Sequence, residues 1–200
     1  MPGIKAHAQL APENRVLISD HRIIEKTSRK GAVNIVLFIR NDQLLFPLIK
    51  RTIGTGVHSG QISLPGGRFD QNDKDFQETA LRETKEEIGL ELHEKQVLGK
   101  LTELYIPPSN FLITPFVSLF DNIPAYCTQT SEVENIIECS LFELMNQEIA
   151  YTTEISSKYR MGTKIPYFSI RDEKVWGATA MVLNEFRILM KGLHGSEFYN

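Results

Sequence analysis

Glu83, Glu86 and Glu87 fall at i, i+3 and i+4 in the stretch from Leu64 to Leu90. On an α-helix these positions are neighbours on one face. Three carboxylates held that close repel one another, and hard oxygen ligands are what Mg²⁺ or Mn²⁺ prefers. A divalent cation would relieve the repulsion. Taken alone, a glutamate-rich helix face is more often simply solvated. The residues just ahead change that weighting. Gly66 and Gly67 follow Pro65 and let a backbone approach a ligand or metal with no Cβ in the way. Glycine loop, helix and acids together point to a metal platform.

The elements that must position this platform follow from the surrounding pattern. A helix is expected from about residue 75 to 88, with Ala80, Leu81, Thr84 and Ile88 on one stripe and Gly89 as its C-terminal cap. Two β-rich runs, 32–39 and 44–50, flank the turn-forming Asn41-Asp42. Residues 51–67 hold five glycines and one proline and read as a loop. Strands are expected over 97–105, 111–120, 133–141 and 167–170, a short helical turn over 141–146, and a closing helix over 178–193. Residues 1–30 read as polar and irregular, with a short helix around 18–27, and 147–165 as a polar excursion. This order implies a mixed sheet covered by helices.

Composition limits the function classes. With 42% apolar and 24% charged residues, the 200-residue chain is ordinary globular material, large enough for one core. A net charge of −3 supplies no basic footprint, so nucleic acid is not an expected partner. The longest apolar run, near 33–39, is far too short to span a bilayer. The N-terminal residues carry charge and proline where a signal peptide needs an apolar core. Cys127 and Cys139 match no zinc spacing and read as buried thiols in a reducing compartment, so the protein is expected to be cytoplasmic.

The segment from Gly67 to Leu90 resembles the Nudix box. Gly67 matches its opening glycine, and Arg82, Glu83, Glu86, Glu87, Gly89 and Leu90 match its end. Thr84 stands where the pattern has an apolar residue. The middle glutamate is absent at its standard spacing, where Asp73 sits with one extra residue before Arg82. That stretched form resembles the coenzyme A pyrophosphatase branch. His58-Ser59-Gly60-Gln61-Ile62-Ser63-Leu64-Pro65-Gly66-Gly67 resembles the HxGQxxFPGG signature of that branch, with Leu64 for Phe. Ile113-Thr114-Pro115-Phe116, Glu132-Val133 and the run from Val175 to Ala180 resemble further pieces of it. The branch also carries an arginine shortly before HxGQ, where this chain has Gly54 and Gly56; Lys50 and Arg51 remain.

The resemblance implies an α/β (α+β) Nudix fold, a mixed β-sheet sandwiched between helices. It would occupy residues 31–195 behind an N-terminal extension over 1–30. It implies a pyrophosphatase using Mg²⁺ or Mn²⁺, with Glu83, Glu86 and Glu87 as metal ligands and the Gly67 carbonyl completing the shell. Arg82 would pair with a carboxylate to orient it. Glu132 is the leading candidate for general base, with Glu134 in reserve. Lys50, Arg51, His58, Gly66 and Gly67 would meet the substrate, a small-molecule nucleotide diphosphate. Asp70 and Asp73 read as turn and helix-cap residues, and Trp176 as a core residue at the start of the last helix. Coenzyme A or an acyl derivative leads the substrates. ADP-ribose, dinucleotides and nucleoside triphosphates are the alternatives. A non-catalytic ligand sensor and an isoprenoid diphosphate isomerase rank below these, since the acid trio is intact and no cysteine lies near the box. A homodimer is compatible with the resemblance, though periodicity is silent on it.

Overall fold

The computed structural model describes residues 1–13, 21–54, 59–153 and 163–196. In chain order the elements are α1 (Gly3–Gln9), α2 (His21–Thr27), β1 (Arg29–Arg40), β2 (Gln43–Arg51), β3 (Ile62–Ser63) and β4 (Gly66–Arg68). After these come α3 (Phe76–Ile88), β5 (Val97–Lys100), β6 (Leu104–Ile106), β7 (Phe111–Leu119) and β8 (Val133–Ser140). The chain continues through α4 (Leu141–Asn146), β9 (Ala150–Thr152), β10 (Ile165–Ile170), β11 (Glu173–Trp176) and α5 (Gly177–Ser196).

The main sheet runs β3-β2-β1-β7-β5, with β4 also on β1, β6 on β7 and β8 on β2. It is mixed: β1 pairs with β7 in parallel over nine residues, from Arg29 opposite Phe111 to Leu37 opposite Leu119, while the other pairs are antiparallel. From Ala32 to Phe38 β1 is enclosed on both faces, as its near-continuous apolar run requires of a central strand, while Ile39 at its end is exposed. The β1–β2 hairpin closes through Asn41 (φ 50°) and Asp42 (φ 58°), the left-handed pair that a two-residue turn demands.

Each face of the sheet is covered. On one side Val36, Ile49 and Val133 meet Ile88, Leu90 and Leu92 around the C-terminal end of α3. On the other, Ile35, Phe46 and Leu48 meet Met181, Leu183 and Phe186 of α5 and Phe168 of β10. The expected sandwich is thus present.

Several local expectations change. Residues 3–9 are helical rather than irregular, and the following Leu10 is fully buried in the larger core. A buried polar cluster docks this segment: Glu185 of α5 accepts from the Gly3 N–H (3.1 Å) and Thr102 Oγ1 (2.7 Å), and pairs with His7 Nε2 (2.9 Å). The strand expected over 97–105 divides into β5 and β6, and the glycine-rich loop contains β3 and β4. Residues 150–152 of the expected polar excursion form β9, while 154–162 lie outside the described residues. Trp176 closes β11 instead of opening α5. Cys127 is exposed, not buried; it lies in the connection before β8, its N–H bonded to the Ile88 carbonyl (3.0 Å). Among the described residues no helix is long and apolar enough to cross a membrane.

Candidate active site

The carboxylate helix is α3, and its ends are set by local chemistry. Asp75, in extended backbone, caps the first turn by accepting from the Glu78 N–H at 2.9 Å. Gly89 (φ 76°) ends the helix in the left-handed conformation, its N–H bonded to the Lys85 carbonyl. Ala80, Thr84 and Ile88 face the sheet, fully buried. That seating leaves Glu83, Glu86 and Glu87 along the side that meets β4.

The three acids differ sharply in environment. The Glu87 side chain is 2% exposed, Glu83 14% and Glu86 51%. Glu87 Oε2 accepts from the Gly66 N–H at 2.8 Å, and Oε1 lies 3.3 Å from Arg51 Nη1. Glu83 presses against Gly67 so closely that a Cβ there would collide with its carboxyl carbon and both oxygens. Gly66 is equally constrained, at φ 150° with the Ala32 carbonyl where a Cβ would go. The Gly67 carbonyl oxygen abuts Gly31 of β1.

Electrostatics follow the burial. Desolvation pushes the Glu87 carboxyl up to about 7, against the opposing pull of the Gly66 N–H and Arg51. Burial also raises the Glu83 carboxyl, with Arg82 opposing and the charges of Glu86 and Glu132 adding to the rise. Glu132 acts in the same sense on Glu87, so it lies within electrostatic reach of both acids. Glu134 instead neighbours Lys50, 3.9 Å away.

Arg82 pairs with a carboxylate, as expected, and its main partner is Asp73. Its Nε and Nη2 bond Asp73 Oδ1 and Oδ2 at 2.8 and 2.9 Å. Its Nη1 reaches Glu83 Oε1 at 2.9 Å and Glu86 Oε2 at 3.1 Å. Asp73, buried and held by Arg82, falls to about 2. It is therefore the counter-charge of the motif arginine; the helix cap is Asp75. The signal for this was an arginine inside an acidic face with an aspartate in the loop ahead. Asp70 is a turn residue, accepting from the Asn72 N–H at 2.9 Å.

Of the other expected site residues, Lys50 is bonded to Glu173 at 2.8 Å. Arg51 reaches Glu87, and His58 lies outside the described residues. Asn34, fully buried on β1 beneath α3, was not singled out by its sequence neighbourhood. Its signal is a lone amide within the apolar run from Val33 to Ile39.

The donor set suits a divalent cation. Glu83 and Glu86 already converge on one cationic atom, Arg82 Nη1. Glu87 is a buried carboxylate whose ionisation lacks full compensation, and the Glu83 carboxylate occupies the space that Gly67 leaves open. Glu87 turns toward Gly66, so among the described residues the acids form no ready-made three-ligand cage.

Residues 28–150 match the NUDIX domain family. The chain is 31% identical over 176 residues to the Uncharacterized Nudix hydrolase NudL of Yersinia pestis (strain Pestoides F), covering 88% of this chain and 86% of that protein. In fold it is similar to a MutT/nudix family protein from Enterococcus faecalis, with TM-score 0.57 and 15% identity, covering 90% of this chain and 71% of that one. It is similar too to the C. elegans Ap4A hydrolase, with TM-score 0.53 and 16% identity, covering 82% and 98%. Sequence span and fold thus converge, and the chain belongs to the Nudix hydrolase family.

Proposed function

We propose that this Nudix hydrolase cleaves the diphosphate linkage of coenzyme A or an acyl derivative, releasing a phosphopantetheine product and adenosine 3′,5′-bisphosphate. The observation that carries the hydrolytic reading is the pairing of one buried and one half-buried acid with two glycines. Glu87 sits on the Gly66 N–H, and Glu83 fits where Gly67 has no side chain. Such an arrangement serves no apolar core.

Glu83 and Glu87 would hold Mg²⁺ or Mn²⁺, with Glu86 sharing it or holding a second ion. When bound, the metal neutralises the charge of the diphosphate and makes water a stronger nucleophile. Arg82, clamped by Asp73, keeps Glu83 and Glu86 oriented. Glu132, exposed and electrostatically linked to both Glu83 and Glu87, would take the proton of the attacking water. Its placement favours it over Glu134, whose nearest charge is Lys50. The same reading takes the protein as cytoplasmic and its substrate as a small molecule.

The coenzyme A assignment rests on the sequence run from His58 to Gly67 and on the run from Val175 to Ala180. A second reading, hydrolysis of ADP-ribose, a dinucleotide or a nucleoside triphosphate, is favoured by one observation. Lys50 and Arg51, the cations expected to recognise extra phosphate, are already engaged by Glu173 and Glu87. A panel of these diphosphates assayed with Mg²⁺ and with Mn²⁺ separates the two. Inertness toward coenzyme A alongside turnover of another member would end the first reading.

A further inference from the structure

A continuous chain of hydrogen bonds lies beneath the carboxylate face, made from residues that a packing role alone would leave apolar. Ser118 Oγ on β7 donates to Asn34 Oδ1 on β1 at 2.9 Å. Asn34 Nδ2 donates to Thr84 Oγ1 on α3 at 3.3 Å, and Thr84 Oγ1 donates to the Ala80 carbonyl at 2.7 Å. All three residues are 0% exposed. Each hydroxyl and the amide acts in the sense its chemistry allows, so the donors and acceptors are mutually consistent. Asn34 does more: its backbone N–H bonds the Pro65 carbonyl at 2.8 Å. One residue therefore ties together the strand entering Gly66-Gly67, the helix carrying the acids, and the parallel strand below.

Thr84 is the position where this chain departs from the apolar residue of the Nudix pattern. A threonine bonded to the carbonyl four residues back mildly destabilises a helix and tends to bend it. Burying three polar side chains is unfavourable unless every group is satisfied. Apolar packing, by contrast, is non-directional and tolerates small slides of a helix over a sheet. Hydrogen bonds fix distance and angle. The acids need that fixity, because Glu83 fills the space left by Gly67 and Glu87 must meet the Gly66 N–H.

We infer that Asn34, Thr84 and Ser118 form a positioning network that sets the axial and rotational register of α3 against Gly66 and Gly67. This rests on the reading of Glu83 and Glu87 as metal-holding, but its geometric content does not require a metal.

The test compares the parent with Asn34→Val/Thr84→Val/Ser118→Ala, and Thr84→Ser with Thr84→Val. Two readouts are taken: hydrogen exchange of the Gly66 amide without metal, and Mn²⁺ affinity without substrate. In the triple variant the melting temperature should stay within a few degrees, since satisfied polar groups are replaced together by apolar ones. Gly66 exchange should rise tenfold or more, and Mn²⁺ binding should weaken tenfold or more. Thr84→Ser, which keeps the hydroxyl, should match the parent within twofold on both. A stable triple variant with parental Gly66 protection and parental Mn²⁺ affinity would overturn the inference. If the triple variant fails to fold, Thr84→Val decides: its Gly66 exchange must rise more than its loss of global stability explains, and equality with Thr84→Ser refutes the network. A parent that binds no Mn²⁺ would end the metal reading and leave Gly66 exchange to decide this one.

Discussion

Replacing Glu87 by glutamine removes a charge that the metal-free protein accommodates poorly. The carboxyl titrates near 4.5 in an unperturbed setting and is pushed up to about 7 by burial. The folded chain therefore binds this proton more tightly than the unfolded chain does. By linkage, the contribution of Glu87 is most favourable below the unfolded value and is lost as pH rises through the folded one. Between pH 5 and pH 8 the shift corresponds to about 2–3 kcal/mol of lost stability. For a chain of this size that is roughly 5–10 °C in melting temperature. Glutamine does not titrate, so its pH profile should lack this component. It keeps one acceptor oxygen but cannot accept from both Gly66 and Arg51, which offsets about 1 kcal/mol at every pH. The assay is thermal unfolding of parent and Glu87→Gln in chelator from pH 5 to pH 8. The difference in melting temperature should move in favour of the variant as pH rises. Added Mg²⁺ should stabilise the parent at pH 8 and leave the variant unmoved, and turnover should be lost with the fold intact. Parallel pH profiles for the two proteins would refute the account of Glu87 as an uncompensated buried acid.

Arg82→Met strands Asp73, whose side chain is 3% exposed, without its guanidinium. Urea denaturation should show a loss of about 3 kcal/mol, partly recovered in Arg82→Met/Asp73→Asn; a loss below about 0.5 kcal/mol would contradict the clamp. Gly67→Ala places a methyl group against the carboxylate of Glu83, the far end of a flexible side chain. Stability should fall by no more than about 1 kcal/mol while Mn²⁺ affinity drops tenfold or more, as read by titration; unchanged affinity would remove Gly67 from the site.

What was legible in the sequence is what neighbouring residues settle among themselves. The C-terminal bound of α3 follows from Gly89 and the β1–β2 turn from Asn41-Asp42, whereas the capping residue at its start is Asp75 and not the expected Asp73. The equivalent turn between β10 and β11 carries no such signal, because Arg171 (φ 49°) occupies a left-handed position that local chemistry gives it no reason to adopt. Short strands such as β3, β4 and β9 were missed because two or three residues acquire strand character only from a partner. Helix α1 owes its place to Glu185, about 180 residues away in the chain, and no local pattern encodes such a bond. Within the site the acids and glycines were legible by spacing. The role of Asp73 was not, since pairing with Arg82 depends on how the intervening loop returns to the helix.

The parallel pairing of β1 with β7 joins segments roughly eighty residues apart in the chain. The intervening chain includes both glycines of the site and the whole of α3, so the central ladder can close only once this stretch has collapsed. Such non-local closure slows folding, because loop entropy is lost before the contacts that compensate it are made. The acidic helix and its glycine strand are therefore expected to become ordered late, in the same cooperative step that completes the sheet. A nascent chain released before Leu119 would lack the strand that secures them.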